Sequence, residues 1–362
     1  MLKTKERESL LMTPYLRVHR ALHGLAVDKV PFTTYTDFVR HDEEKQKALI
    51  RRGMCVVRRT NSWKEVFRDT KVTSEEFLTE SGTRRIRTVF ETPEGTLTSV
   101  IEPSGNTVWI KEYPFKSPDD YPALRALFAD RHAVDNYEHC RRILACEDEN
   151  HIIRDNLPLE PMQTFLSGNF MSPEDFSLEW YDNRDEILAL VAEAARFNAE
   201  CYPICAAGPL EIVNYGGNVI PEITSPAVFR EHYVPYYHEA CEILHRAGKL
   251  VGCHYDADIR GLMDDIAATP LDYIEAYDPG AAAPLFEAFA KFPDKALWLN
   301  FPSAWHSHDA DTIREDTLRL IAEAEGHPKF IIGITEDPPV FRTFEIYGAI
   351  MDGIDIAAKK KN

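Results

Sequence analysis

Long apolar runs, paired cysteines and glycine-rich phosphate loops are all missing from this chain, and each absence removes a class of function. No apolar stretch approaches the ~20 residues that span a bilayer as a helix, so no membrane is expected as a partner. The seven cysteines, Cys55, Cys140, Cys146, Cys201, Cys205, Cys241 and Cys253, are odd in number and scattered. None forms a C-x-x-C pair, which argues against a disulfide framework and against a thiolate zinc knuckle. Most read as small buried hydrophobes. With no phosphate loop, no G-x-G-x-x-G and no G-x-S-x-G, nucleotide-dependent and serine-hydrolase readings lack support.

Positive charge is also scarce. Lys and Arg total 41 against 59 Asp and Glu, a formal charge of −18. Such a surface repels phosphate backbones, so nucleic acid is not expected as a partner. The one basic run, Lys359-Lys360-Lys361, reads as a solvated tail. The opening MLKTKERESLLMTPYLRVHR is charged and lacks the apolar stretch of a signal peptide, so a cytoplasmic location is expected. What remains is an ordinary globular composition, 44% hydrophobic and 28% charged over 362 residues, large enough for a barrel with insertions.

From about residue 185 helical and strand patterns alternate. DEILALVAEAARFNA places Ile187, Leu188, Val191, Ala194 and Ala195 on one helical face. PLEIVNY, KLVGCHYD, LDYIEAYDP, ALWLNFPS and KFIIGITED read as strands, separated by helical segments. One of these opens at Ser225-Pro226 and is kinked or split by Pro235. Successive βαβ units imply a parallel α/β sheet; periodicity alone leaves open whether it closes into a barrel. Upstream, PFTTYTDF and MQTFLSGNF read as buried strands. Residues 83–115 alternate β-branched and aromatic residues around Pro93-Glu94-Gly95 and Pro103-Ser104-Gly105, the pattern of a hairpin or meander inserted into a single domain spanning 1–362.

In a parallel sheet, function collects at the carboxyl ends of strands. Those ends carry Ser167, Asn214, His254 with Asp256, Glu275, Asn300, and Glu336 with Asp337. An H-x-D pair at a strand end points both side chains to one side. One imidazole with two or three carboxylates suits a Zn2+ site with an open position, or a harder ion. The alternative is that His254 and Asp256 simply hydrogen-bond each other. Cys253 should face away into packing. Trp180-Tyr181-Asp182 and Trp305-His306 could wall a pocket or serve as packing.

RVHRALHGLAVDKVPF, together with EITSPAVFREHYVPYYHEACEILHRAGKLVGCHYDADIRGLMDDIAATPLDYIEAYDP, resembles the uroporphyrinogen decarboxylase superfamily. That resemblance covers most of the chain and implies a (β/α)8 TIM barrel with an N-terminal helical extension. True uroporphyrinogen decarboxylases carry an arginine cluster where this chain reads TTYTDFVR, so tetrapyrrole decarboxylation is not expected. The corrinoid methyltransferase-like branch is the nearer match. Its members hold zinc with an H-x-C motif and a later Cys; here His254-x-Asp256 and Ile334-Thr335-Glu336-Asp337 stand in those places.

The resemblance therefore implies zinc on His254, Asp256 and Glu336, with Glu275 as fourth ligand or general acid and Asn214 beside it in catalysis. The tyrosine of the Tyr35-Thr36 step, Ser167, Asn214, Asn300 and Trp180 would bind substrate. The reaction implied is methyl transfer from a small methoxy-type donor to a corrinoid carried by a partner protein, by a homodimeric enzyme. The alternatives are a decarboxylase or lyase on a small carboxylic acid, and a non-catalytic small-molecule-binding barrel.

Overall fold

The computed structural model describes residues 12–361 except 106, 168, 218 and 220. In chain order the strands begin with β1 (Phe32–Tyr35) and β2 (Met54–Thr60). An inserted group follows: β3 (Trp63–Val66), β4 (Lys71–Leu78), β5 (Arg84–Thr92), β6 (Gly95–Ser104), β7 (Thr107–Glu112) and β8 (His132–Asp135). The rest are β9 (His151–Asn156), β10 (Ile212–Gly217), β11 (Leu250–His254), β12 (Tyr273–Tyr277), β13 (Ala296–Asn300) and β14 (Phe330–Ile334). β1, β2 and β9 to β14 form a closed barrel in the order β1-β14-β13-β12-β11-β10-β9-β2. Every pairing is parallel, and β1 closes the ring by pairing with both β14 and β2. The chain is a TIM barrel.

The five strands expected after residue 185 all form, because each is a short apolar run buried on both faces. The helix opened by Ser225 is split as Pro235 requires, into Pro226–His232 and Val234–Arg246 around Tyr233. Upstream the pattern misleads. MQTFLSGNF is not a strand; it contains the short helix Gln163–Leu166. The barrel strand before it is β9, whose His151 and Arg154 break its apolar run, as Arg58 and Arg59 break that of β2.

The insertion is an antiparallel sheet in the order β4-β5-β6-β7, with β3 and β8 pairing separately. It starts at Lys71 rather than 83, since β4 is exposed along nearly its whole length and shows no apolar alternation. Leu97 of β6 is buried and belongs to the same apolar cluster as the barrel core.

Inside the barrel the side chains stack in layers. The lower layer holds Tyr273 and Trp298, ring centroids 5.9 Å apart, with the indole N–H donating to Thr33 Oγ1 at 2.8 Å. Gly252 and Gly333 make this layer possible: a Cβ at Gly252 would lie 2.1 Å from the Tyr273 ring, and one at Gly333 would lie 3.0 Å from the Trp298 nitrogen. Among the described residues no helix is long and apolar enough to cross a membrane.

Candidate functional site

Above the aromatic layer, at the carboxyl ends of the strands, lies a cavity of about 630 Å3. Tyr35, Arg59, Asn214, His254, Asp256 and Glu336 are among its walls. His254 is the last residue of β11, Asp256 stands two residues beyond it, and Glu336 follows β14. Closure of the barrel brings these loops together: one ligand atom from each of the three side chains lies within 4.8 Å of the others. The His254 Nε2 to Asp256 Oδ2 distance is 3.5 Å.

Glu275 sits behind His254 rather than beside it. It is fully buried, and its Oε2 meets His254 Nδ1 at 2.6 Å. Its Oε1 lies 2.6 Å from Arg154 Nη1 and accepts the Tyr35 hydroxyl. Burial would raise the Glu275 pKa, but the charges of Arg154 and His254 hold it well below the usual range. Glu275 is thus an ionised anchor with its acceptors occupied. With both oxygens engaged by Arg154, Tyr35 and His254, Glu275 supports the His254, Asp256 and Glu336 cluster from behind instead of serving as its fourth ligand, and a carboxylate held ionised has no proton to give as a general acid.

The same anchor acts on His254. Burial favours the neutral imidazole, yet the adjacent Glu275 carboxylate and Asp256 together push its pKa up to about 10. Burial would also raise Asp256, but the His254 hydrogen bond holds it below its ordinary value. Glu336 moves the other way, raised by burial and next by the Asp256 charge. Two carboxylates converging in a half-enclosed site repel each other, and a cation between them would relieve that repulsion.

Two irregularities aim these groups. β12 shifts register between Glu275 and Tyr277, where Ala276 adopts φ 62°. β10 shifts between Tyr215 and Gly217, and Gly217 has φ 127°. A Cβ on Gly217 would fall 2.1 Å from the His254 carbonyl oxygen. Bulges beside a site re-aim the chain in this way.

Asn214 lines the cavity. Its Nδ2 donates to the Tyr215 carbonyl at 2.9 Å, which turns Oδ1 away from that oxygen; Oδ1 is buried without a partner. The Tyr35 ring is in the wall, but its hydroxyl is engaged by Glu275. Thr36 beside it hydrogen-bonds the Val57 carbonyl at 3.3 Å. Three expected substrate-binding residues lie elsewhere. Asn300 is buried and braces the rim, accepting from Thr335 N at 3.0 Å and donating to Ser303 Oγ at 3.1 Å. Ser167 caps the Gln163–Leu166 helix, because its segment is not a barrel strand. Trp180 packs on the helix Pro173–Asp182, stacked on Phe176 and edge-on to His232.

Cys253 faces outward as expected, its Sγ 3.4 Å from the buried Glu160. Arg154 and Arg59 fall outside the site expected from sequence because β9 and β2 lack the unbroken apolar run that marks a strand. Arg59 lies over the Tyr35 ring, its guanidinium carbon 4.2 Å from the centroid. An arginine following two isoleucines in HIIRDN was the available signal for Arg154.

No family model and no curated protein matches the chain. Among solved structures, a B12-independent methionine synthase from Shewanella sp. W3-18-1 is similar over 89% of this chain and 87% of its own, at 12% identity and TM-score 0.44. A GH18 chitinase from Flavobacterium johnsoniae is similar over 62% of this chain and 82% of its own, at 15% identity and TM-score 0.36. A xylose isomerase-like TIM barrel protein from Mycobacterium smegmatis, in complex with magnesium, is similar over 61% and 78%, at 16% identity and TM-score 0.32. At such low likeness the TIM-barrel architecture stands on the closed strand order of this chain itself.

Proposed function

We propose that this chain is a metal-dependent enzyme of the uroporphyrinogen decarboxylase superfamily that takes a methyl group from a small methoxy-type donor for delivery to a corrinoid protein. The observation that carries the reading is the convergence of His254, Asp256 and Glu336, with His254 Nδ1 anchored on Glu275. One nitrogen and two oxygen donors are ligand types that zinc accepts, and three protein ligands leave the fourth position open, as a catalytic site requires. A carboxylate behind the ligating imidazole is its usual support. When bound, zinc would supply a Lewis acid that polarises the donor's ether oxygen.

The remaining work falls to side chains. Glu275, held by Arg154 and Tyr35, keeps the His254 ring in one orientation. Asn214 Oδ1 and Thr335 Oγ1, both buried in the cavity wall without partners, fit an N–H or O–H on the substrate. The reading includes a separate corrinoid protein as methyl acceptor and a homodimeric enzyme in the cytoplasm, as the sequence resemblance implies.

A lyase acting on a small carboxylic acid is the second reading, favoured by Arg59. Its guanidinium lines the cavity, stacked on Tyr35 and 3.7 Å from Asp37, where a substrate carboxylate could replace that aspartate. The experiment is elemental analysis of purified protein and of His254→Ala, followed by assay of methoxy-type donors with a corrinoid protein. One zinc equivalent fewer in the variant than in wild type, together with corrinoid-dependent demethylation, is the expected result. Release of CO2 without demethylation would move the assignment to the lyase. Equal zinc content in wild type and His254→Ala would remove the methyl-transfer reading.

A further inference from the structure

A second cluster of metal-ligating side chains lies at the opposite end of the barrel. The helix Pro14–Leu22 packs over the amino-terminal side, burying Val18, Ala21 and Leu22 and pairing buried Arg17 with Asp28. Its last turn and cap present His19 and His23, four residues apart and therefore on one face. Opposite them stands Glu211, immediately before β10. His19 Nε2 is 3.0 Å and His23 Nε2 is 3.6 Å from the same Glu211 oxygen.

All three ligand atoms lie within 4.8 Å of one another. The edge of a tetrahedron around zinc, with bonds of about 2.0–2.1 Å, is roughly 3.3 Å. The two N–O distances to Glu211 bracket that value. The imidazole centroids are 4.5 Å apart, and Tyr15 stacks on His19 at 5.7 Å, so the near ring is held from behind. This geometry suits a small cation with nitrogen preference, zinc above magnesium or calcium.

From this geometry we infer that His19, His23 and Glu211 form a second, non-catalytic zinc site that staples the N-terminal helix to the start of β10. The two imidazoles come from the helix and the carboxylate from the barrel, so binding joins elements nearly two hundred residues apart in sequence. The helix closes the barrel floor, and a bound ion would therefore raise the stability of the whole chain.

The test uses full-length protein stripped with chelator and then titrated with Zn2+ alone, by equilibrium dialysis and calorimetry. In a His254→Ala background, which disables the mouth site, about one equivalent should still bind and raise the melting temperature. Adding His19→Gln with His23→Gln should abolish both effects, and Glu211→Gln should weaken binding at least ~10-fold. Circular dichroism checks that each variant is folded without zinc. If His254→Ala protein binds no zinc, or if the histidine pair can be replaced without loss, the site does not exist. Failure of the mouth site would read differently, as wild type and His254→Ala binding the same amount.

Discussion

His254 and Glu275 are register partners on the adjacent strands β11 and β12, and Nδ1 of one meets Oε2 of the other at 2.6 Å. The contact assigns the two ring nitrogens. Nδ1 carries the proton facing the carboxylate, leaving Nε2 towards Asp256 and the cavity.

Glu275→Gln therefore tests orientation separately from ligation. The amide can still accept from Nδ1, but the charge that fixes ring and tautomer is gone. Zinc affinity at the mouth should fall by about 10–100-fold with the ligands intact. Dialysis on His19→Gln/His23→Gln protein isolates this effect, and an unchanged affinity would show that Glu275 does not support the imidazole.

Arg154→Met breaks the buried pair from the other side. Arg154 is 3% exposed and Glu275 is 0%, so the carboxylate would be left with less compensation in a dry interior. Loss of one partner of a buried pair costs about 3–5 kcal/mol. Urea denaturation should show this, and Arg154→Met with Glu275→Gln should recover part of it. A single variant as stable as wild type would contradict the ion pair.

The pH dependence follows from His254. Its folded pKa is raised to about 10 from an ordinary 6.5, so its contribution to metal-free stability is complete below the unfolded value and is lost as pH rises through about 10. Because the proton and a metal compete for the ring, zinc affinity at the mouth should rise by roughly tenfold per pH unit on the approach to that value. Titrations at several pH values check this, with flat affinity as the contrary result.

Gly217→Ala should disturb the site through the backbone. A methyl group there would overlap the His254 carbonyl, at a φ that L-residues avoid. The variant should lose about 1–3 kcal/mol of stability and mouth zinc binding together. Stability lost without any change in zinc binding would mean that the β10 bulge does not position His254.

Much of this protein is written locally. Apolar runs of five residues closed by His254, Asn300 or Ile334 show where strands end, and Pro235 shows where a helix must break. His254, Asp256 and Glu336 could be read as rim residues because strand ends in parallel folds face one pocket. β2 and β9 are not legible as strands in sequence, since Arg59 and Arg154, which look solvent-facing there, point into the barrel or its mouth. The partnership of Arg154 with Glu275 spans more than a hundred residues and exists only because the barrel closes. Closure also decided that Asn300 braces the rim, that Trp180 packs outside the cavity, and that Glu275 stands beneath His254. The sequence alone thus determined the alternation of elements and the kinds of donor at the strand ends. Which donors meet, and which are buried as charges, depended on strand register and the two bulges, which place side chains across the barrel rather than along the chain.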